Sequence, residues 1–155
     1  MKRFEGTRVL VTGGANGLGL GVARRFAAEG AAVWVADVDE RVESVAAEIG
    51  AAAGVRCDVS DSAAVDALVA AIVERHGGLD VAVANAGIGG GGPLTELTDE
   101  AYRRILAVNL DGVFYTCRAA ARAMLPRTSG TIVTVGSVFG RDTPVELDFL
   151  EVEKI

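Results

Sequence analysis

Short apolar runs and longer amphipathic stretches alternate along this chain. Thr7 to Thr12 is a β-branched run ending in glycine. Gly17 to Glu29 follows with Leu18, Val22 and Phe26 at helical spacing. Ala32 to Ala36 predicts a second buried strand, Glu40 to Ile49 a helix, and Ala52 to Cys57 a weak third strand. Ser62 to His76 carries Val65, Leu68, Val69 and Ile72 on one helical face, with Asp61 placed to cap its start. Leu79 to Ala84 predicts strand four, and a glycine-rich loop from Gly87 to Gly92 leads to Pro93. Thr98 to Leu125 reads as helical, in one piece or two. Pro126 ends it, and Gly130 to Val135 is strand five.

Strands separated by helices, with strand residues that barely alternate in polarity, predict a parallel sheet covered on both faces. The expected fold class is α/β, a Rossmann-type doubly wound parallel sheet of about five strands within a single domain spanning residues 1–155. Trp34 falls inside a strand, so packing is its expected role. His76, the single histidine, ends a helix, where it complements the dipole.

Composition narrows the partners. A net charge of -6 supplies no basic stripe for nucleic acid. Mean hydropathy is +0.35, yet no apolar run approaches the roughly 18 residues of a membrane span. The first residues carry no apolar signal core. The two cysteines, Cys57 and Cys117, are too few and too far apart for a disulfide framework or a metal site. A reduced, cytoplasmic protein is expected.

The candidate chemistry lies where strand one meets the first helix, at Thr12-Gly13-Gly14-Ala15-Asn16-Gly17-Leu18-Gly19. Glycines there permit positive φ and let the backbone approach a pyrophosphate. The helix start then offers free N–H groups and partial positive charge. Asp37, ending strand two, can accept hydrogen bonds from both hydroxyls of an adenosine ribose and would repel a 2′-phosphate. NAD is therefore expected over NADP, with Arg41, farther along, as a cation that could soften the preference.

Thr-Gly-x-x-x-Gly-x-Gly at Thr12 to Gly19 resembles the cofactor loop of the short-chain dehydrogenase/reductase family. Further motifs follow in order. Asp58-Val59 resembles the pair that contacts the adenine ring. Asn85-Ala86-Gly87 resembles the Asn-Ala-Gly turn after strand four, with Ala84 where many members carry another asparagine. Asn109 matches the asparagine of the catalytic tetrad, and Ser137, closing Ile132 to Ser137, matches the catalytic serine. The resemblance covers about residues 6–140. It implies hydride transfer between a nicotinamide and a small alcohol or carbonyl substrate. A tyrosine, its pKa lowered by a neighbouring lysine, would be the acid/base. Ser137 would hydrogen-bond the substrate oxygen, and Asn109 would hold a water. Thr12, Gly13, Asn16, Gly17, Leu18, Gly19, Asp37, Asp58, Val59, Asn85, Ala86 and Gly87 would bind the cofactor. A homo-oligomer is a further expectation.

The family's Tyr-x-x-x-Lys is missing. Tyr102 and Tyr115 both precede Ser137, and at the expected place the chain reads Leu150-Glu151-Val152-Glu153-Lys154. Residues 141–155 form a divergent, acidic tail without alanine or glycine, whereas all 20 glycines lie before it. A shifted reading frame, an alternative exon or a truncation would each produce such a tail. Two readings follow: an oxidoreductase of this family, or a catalytically inactive dinucleotide-binding or interaction fragment of one. Either way, strand five is expected to be left as an exposed sheet edge.

Overall fold

The structure, a computed structural model, describes residues 2–89, 92–136 and 148–149. Strands β1 (Arg8–Thr12), β2 (Ala32–Asp37), β3 (Ala53–Arg56) and β4 (Val81–Ala84) alternate with helices α1 (Gly17–Ala28), α2 (Val42–Glu48) and α3 (Ser62–His76). After β4 come a two-residue strand β5 (Gly92–Pro93), helices α4 (Asp99–Leu106) and α5 (Gly112–Met124), and β6 (Thr131–Thr134). The main sheet has five parallel strands in the order β3-β2-β1-β4-β6. A second, antiparallel pairing joins β5 to β7 (Asp148–Phe149), within the tail read as divergent. The sequence pattern does not reveal it, because two residues are too few for a period.

Both faces of the sheet are covered, as unbroken apolar strands require. Along β1, Val9 and Val11 join Val33, Val35, Val42 and Ala23 beneath α1 and α2. Leu10, between them, joins Trp34, Leu68, Ile72, Ala120 and Met124 beneath α3 and α5. Asp61 caps α3 as expected: its Oδ1 accepts from the N–H groups of Ala63 and Ala64 at 2.9 and 3.2 Å. Gly77, with φ of 74°, ends it in the left-handed region that suits glycine. Trp34 is core, and its ring meets His76 edge-on at 6.0 Å. The predicted helix of Thr98 to Leu125 continues through Leu106–Gly112 by one π-type turn, Ala107–Asp111, rather than breaking.

Among the described residues, β6 lies at one edge of the sheet. All four of its residues are exposed, Ile132 and Val133 included, although their sequence is that of a strand buried on both faces. No helix among the described residues is long and apolar enough to cross a membrane.

Two carboxylates brace the end of the sheet away from the glycine loop. Asp80 accepts from the Arg8 backbone N–H at 2.8 Å, from Arg8 Nε and Nη2 at 2.6 and 2.7 Å, and from Arg127 Nη2 at 3.0 Å. The Arg8 guanidinium holds the Asp80 carboxyl well below the usual carboxylate range. Glu29, at the end of α1, is gripped by Arg3 and Arg25, and Arg3 foremost holds its carboxyl at about 2. Both folded-state values are depressed, so the stability these groups contribute is complete above the ordinary carboxylate range. It is lost as pH falls toward the folded values. In urea unfolding, the stability gap between wild type and Glu29→Gln should hold constant from pH 7 down to about pH 5 and narrow below it toward pH 3. A gap independent of pH would show that Glu29 acts by packing alone.

Candidate functional site

The sheet order reverses between β1 and β4: the chain winds outward from β1 to β3, then crosses back to β4. Ligands of open α/β sheets bind in the crevice at such a point, beyond the carboxyl ends of the strands. The glycine loop leaves β1 there. Its neighbour across the crevice is the Asn85-Ala86-Gly87 turn leaving β4.

Thr12, the last residue of β1, ties the two together from a buried position. Its Oγ1 donates to the Val83 carbonyl at 3.3 Å and accepts from the Asn85 and Ala86 N–H groups at 3.1 and 3.2 Å. Asn85 Nδ2 returns the bond, donating to the Thr12 and Gly13 carbonyls at 2.9 and 3.0 Å. Thr12 and Asn85 are therefore the internal frame of the loop, and the ligand-facing surface falls to its backbone. Gly13 (φ 64°) has no room for a side chain, since a Cβ would lie 2.7 Å from Ala86 Cα. Gly17 (φ 52°) is the opposite case, with open space where its Cβ would project.

Helix α1 begins without a side-chain cap. Asn16 makes no such bond, and the first turn holds no acidic residue, so its leading N–H groups stay available to an anion. Leu18 is exposed at the same end. Asp37 closes the site on the other side. Its Oδ2 accepts from the Ala15 N–H at 3.0 Å and its Oδ1 from the Asp39 N–H at 3.1 Å, which fixes the carboxylate beside the glycine loop. Ala15 was not among the expected site residues, because a backbone donor leaves no mark in side-chain identity.

Asp58 and Val59 follow β3. Asp58 Oδ1 accepts from the Ser60 N–H and hydroxyl at 2.9 and 2.7 Å, and these bonds lower its pKa. The Val59 side chain is buried, directly against Gly112. Its contribution to an adenine site is thus restricted to backbone. Asn109 lies in the π-type turn, and both ends of its amide are engaged: Oδ1 accepts from the Ile88 N–H at 2.8 Å and Nδ2 donates to the Ile88 carbonyl at 2.9 Å. The amide clamps the loop beyond Gly87. Ile88 carries no side-chain signal for that role. Ser137 and Lys154 lie outside the described residues. Cys57 and Cys117 are unpaired, and burial pushes both thiols up. Among the described residues no cluster suits a metal.

The chain is similar to known proteins in sequence and in fold. A family model described as short chain dehydrogenase matches residues 7–147. Galactitol 2-dehydrogenase of Agrobacterium fabrum is 42% identical over 142 residues, 90% of this chain and 56% of that protein. Sorbitol dehydrogenase of Cereibacter sphaeroides is 39% identical over 142 residues, again 90% and 56%. A short-chain type dehydrogenase/reductase from Mycobacterium marinum superimposes with a TM-score of 0.87 at 35% identity, over 94% of this chain and 59% of that one. A short chain dehydrogenase from Burkholderia cenocepacia, solved in complex with NADP, gives 0.83 at 38% identity, over 92% and 60%. The chain spans a little over half the length of the curated relatives it matches.

Proposed function

The chain belongs to the short-chain dehydrogenase family, and on that premise we propose that it is the dinucleotide-binding part of an NAD(P)-dependent oxidoreductase. The reaction is hydride transfer between a nicotinamide and a small alcohol or carbonyl carbon. The observation that carries this reading is the crevice itself: an uncapped helix start, a glycine loop braced by Thr12 and Asn85, and a carboxylate at Asp37 held beside that loop. Gly13, Asn16, Gly17, Leu18 and Gly19 would line the pyrophosphate. Asp58, Val59, Ala86 and Gly87 would border the adenine and ribose. Ser137 would hydrogen-bond the substrate oxygen, and Asn109 would position the loop beside it. The names of relatives, which include galactitol, sorbitol and meso-2,3-butanediol dehydrogenases, support a small polyhydric alcohol as substrate. The unpaired thiols support a cytoplasmic setting, and a homo-oligomer is the assembly proposed.

The cofactor proposed is NAD. The Asp37 carboxylate can take two ribose hydroxyls as donors, and a 2′-phosphate would both remove one donor and bring a like charge against it. Calorimetric titration of the chain with NAD and NADP should show NAD binding at least about tenfold tighter, a difference of roughly 1.4 kcal/mol. Equal or tighter NADP binding would overturn the choice of cofactor. Failure to bind either would overturn the dinucleotide reading.

A further inference from the structure

The turn between β2 and α2 holds a second carboxylate that the dinucleotide reading leaves without a task. Asp39 grips the Arg41 side chain twice, with Arg41 Nη2 donating to Oδ2 at 2.7 Å and Nε to Oδ1 at 3.1 Å. The Arg41 backbone N–H also donates to Oδ1, at 2.8 Å. The Arg41 guanidinium holds the Asp39 carboxyl at about 2. The Arg41 side chain is 70% exposed, so the carboxylate, not burial, fixes where its fork points. Asp39 is in turn joined to Asp37 through its own N–H.

An arginine near the ribose-binding aspartate is the group that accommodates a 2′-phosphate in NADP-binding members of this fold. Its Nε–Nη2 edge matches a phosphate and a carboxylate equally well, and a carboxylate seated there both takes that edge and offsets the cation's charge. We infer that Asp39 is a specificity-determining residue: by occupying the Nε–Nη2 edge of Arg41 and offsetting its charge, it weakens that cation's hold on a 2′-phosphate and so reinforces the NAD preference of Asp37. The inference rests on the dinucleotide reading above. Preference is then set by two carboxylates, one repelling the phosphate and the other holding its natural partner. A second cation stands at the same corner. Arg56 pairs with Asp37 in the register of β2 and β3 and lies 3.9 Å from the Glu40 carboxylate, with both side chains well exposed. Among the described residues no carboxylate hydrogen-bonds Arg56 as Asp39 does Arg41, which makes it the internal control.

The test is a titration of NAD and NADP against wild type, Asp39→Asn, Asp37→Ser and the double variant, each with and without Arg41→Ala or Arg56→Ala. Asparagine keeps an acceptor oxygen for the Arg41 backbone N–H, removes the charge and puts an amide donor where Oδ2 takes Arg41 Nη2, so the turn is preserved while the guanidinium is released. Asp39→Asn should shift the NADP-to-NAD affinity ratio toward NADP about tenfold, as roughly 1.4 kcal/mol corresponds to. The shift should be larger in the Asp37→Ser background, vanish with Arg41→Ala and survive Arg56→Ala. A shift that survives Arg41→Ala would overturn the inference, since mere loss of negative charge would explain it. So would an unchanged ratio, or a shift cancelled by Arg56→Ala. Wild type that binds NAD alongside an unmoved Asp39→Asn ratio sinks only this inference. Wild type that binds neither nucleotide sinks the dinucleotide reading and this inference together.

Discussion

Gly19→Ala should abolish dinucleotide binding and destabilise the fold together. A Cβ at this position would lie 2.1 Å from the Gly13 carbonyl oxygen and 2.5 Å from Asn85 Nδ2. Neither neighbour can yield cheaply. The first is loop backbone, and the second is held by two carbonyls at 2.9 and 3.0 Å. The loop must therefore move off the start of α1, at an overpacking cost of about 1–3 kcal/mol. Displaced N–H groups lose their aim at the phosphates. Hydrogen bonds to a charged group contribute roughly 1.5–3 kcal/mol each, so losing two weakens binding by more than about 100-fold.

Gly17→Val isolates the ligand effect. No heavy atom lies within 4 Å of where its Cβ would sit, and the backbone penalty for positive φ is roughly 1–2 kcal/mol. The side chain instead fills the pyrophosphate's approach. Calorimetry paired with urea unfolding separates the two variants: Gly19→Ala should lose both affinity and stability, Gly17→Val mostly affinity. Unchanged NAD affinity in folded Gly17→Val would show that the phosphate does not sit on this loop.

The second large effect concerns turnover. The 155-residue chain should oxidise no alcohol and reduce no ketone at a measurable rate, even when it binds NAD. General acid–base help typically contributes about 10²–10⁴-fold, and the family places it on a tyrosine that no residue after Ser137 supplies. Neither tyrosine present is a ready substitute. Tyr102 is exposed on α4, while the Tyr115 ring packs against the core with the Arg118 guanidinium 5.2 Å from its centre. A serine hydroxyl at 137 can polarise a carbonyl but cannot take the place of a phenol tuned by lysine. Proximity is the other loss, because residues that would hold a substrate carbon against the nicotinamide belong to the part of the relatives that this chain does not span. Following NADH absorbance against polyols and their ketones provides the measurement. Steady turnover that disappears on Ser137→Ala would refute the expectation and assign proton transfer to another group.

Much of this architecture was legible from local pattern. Parallel β1, β2 and β4 follow from Arg8–Thr12, Ala32–Asp37 and Val81–Ala84, whose apolar residues leave no face for water. The glycine loop, the cap at Asp61 and the carboxylate at Asp37 are also short-range features, each set by a few neighbouring residues.

Tertiary structure decided how those pieces are held. Thr12 and Asn85 read as ligand residues in the motif, yet their side chains meet each other's backbones across more than 70 positions of sequence. Asn109 reads as a catalytic polar group, yet its amide is engaged by Ile88 through a π-type turn that no periodicity announces. Glu29 looks like a solvent-facing helix end and is instead buried between two arginines. Asp39 and Arg41 stand close enough in sequence to suggest a pair, but only the folded turn shows the Nε–Nη2 edge of the guanidinium taken. The physical reason is the same in each case. Hydrophobic periodicity and glycine placement report the backbone's own preferences over one or two turns. The partner of a polar side chain is chosen by whichever donor or acceptor the completed fold brings within about 3 Å, and the sequence carries no period for that.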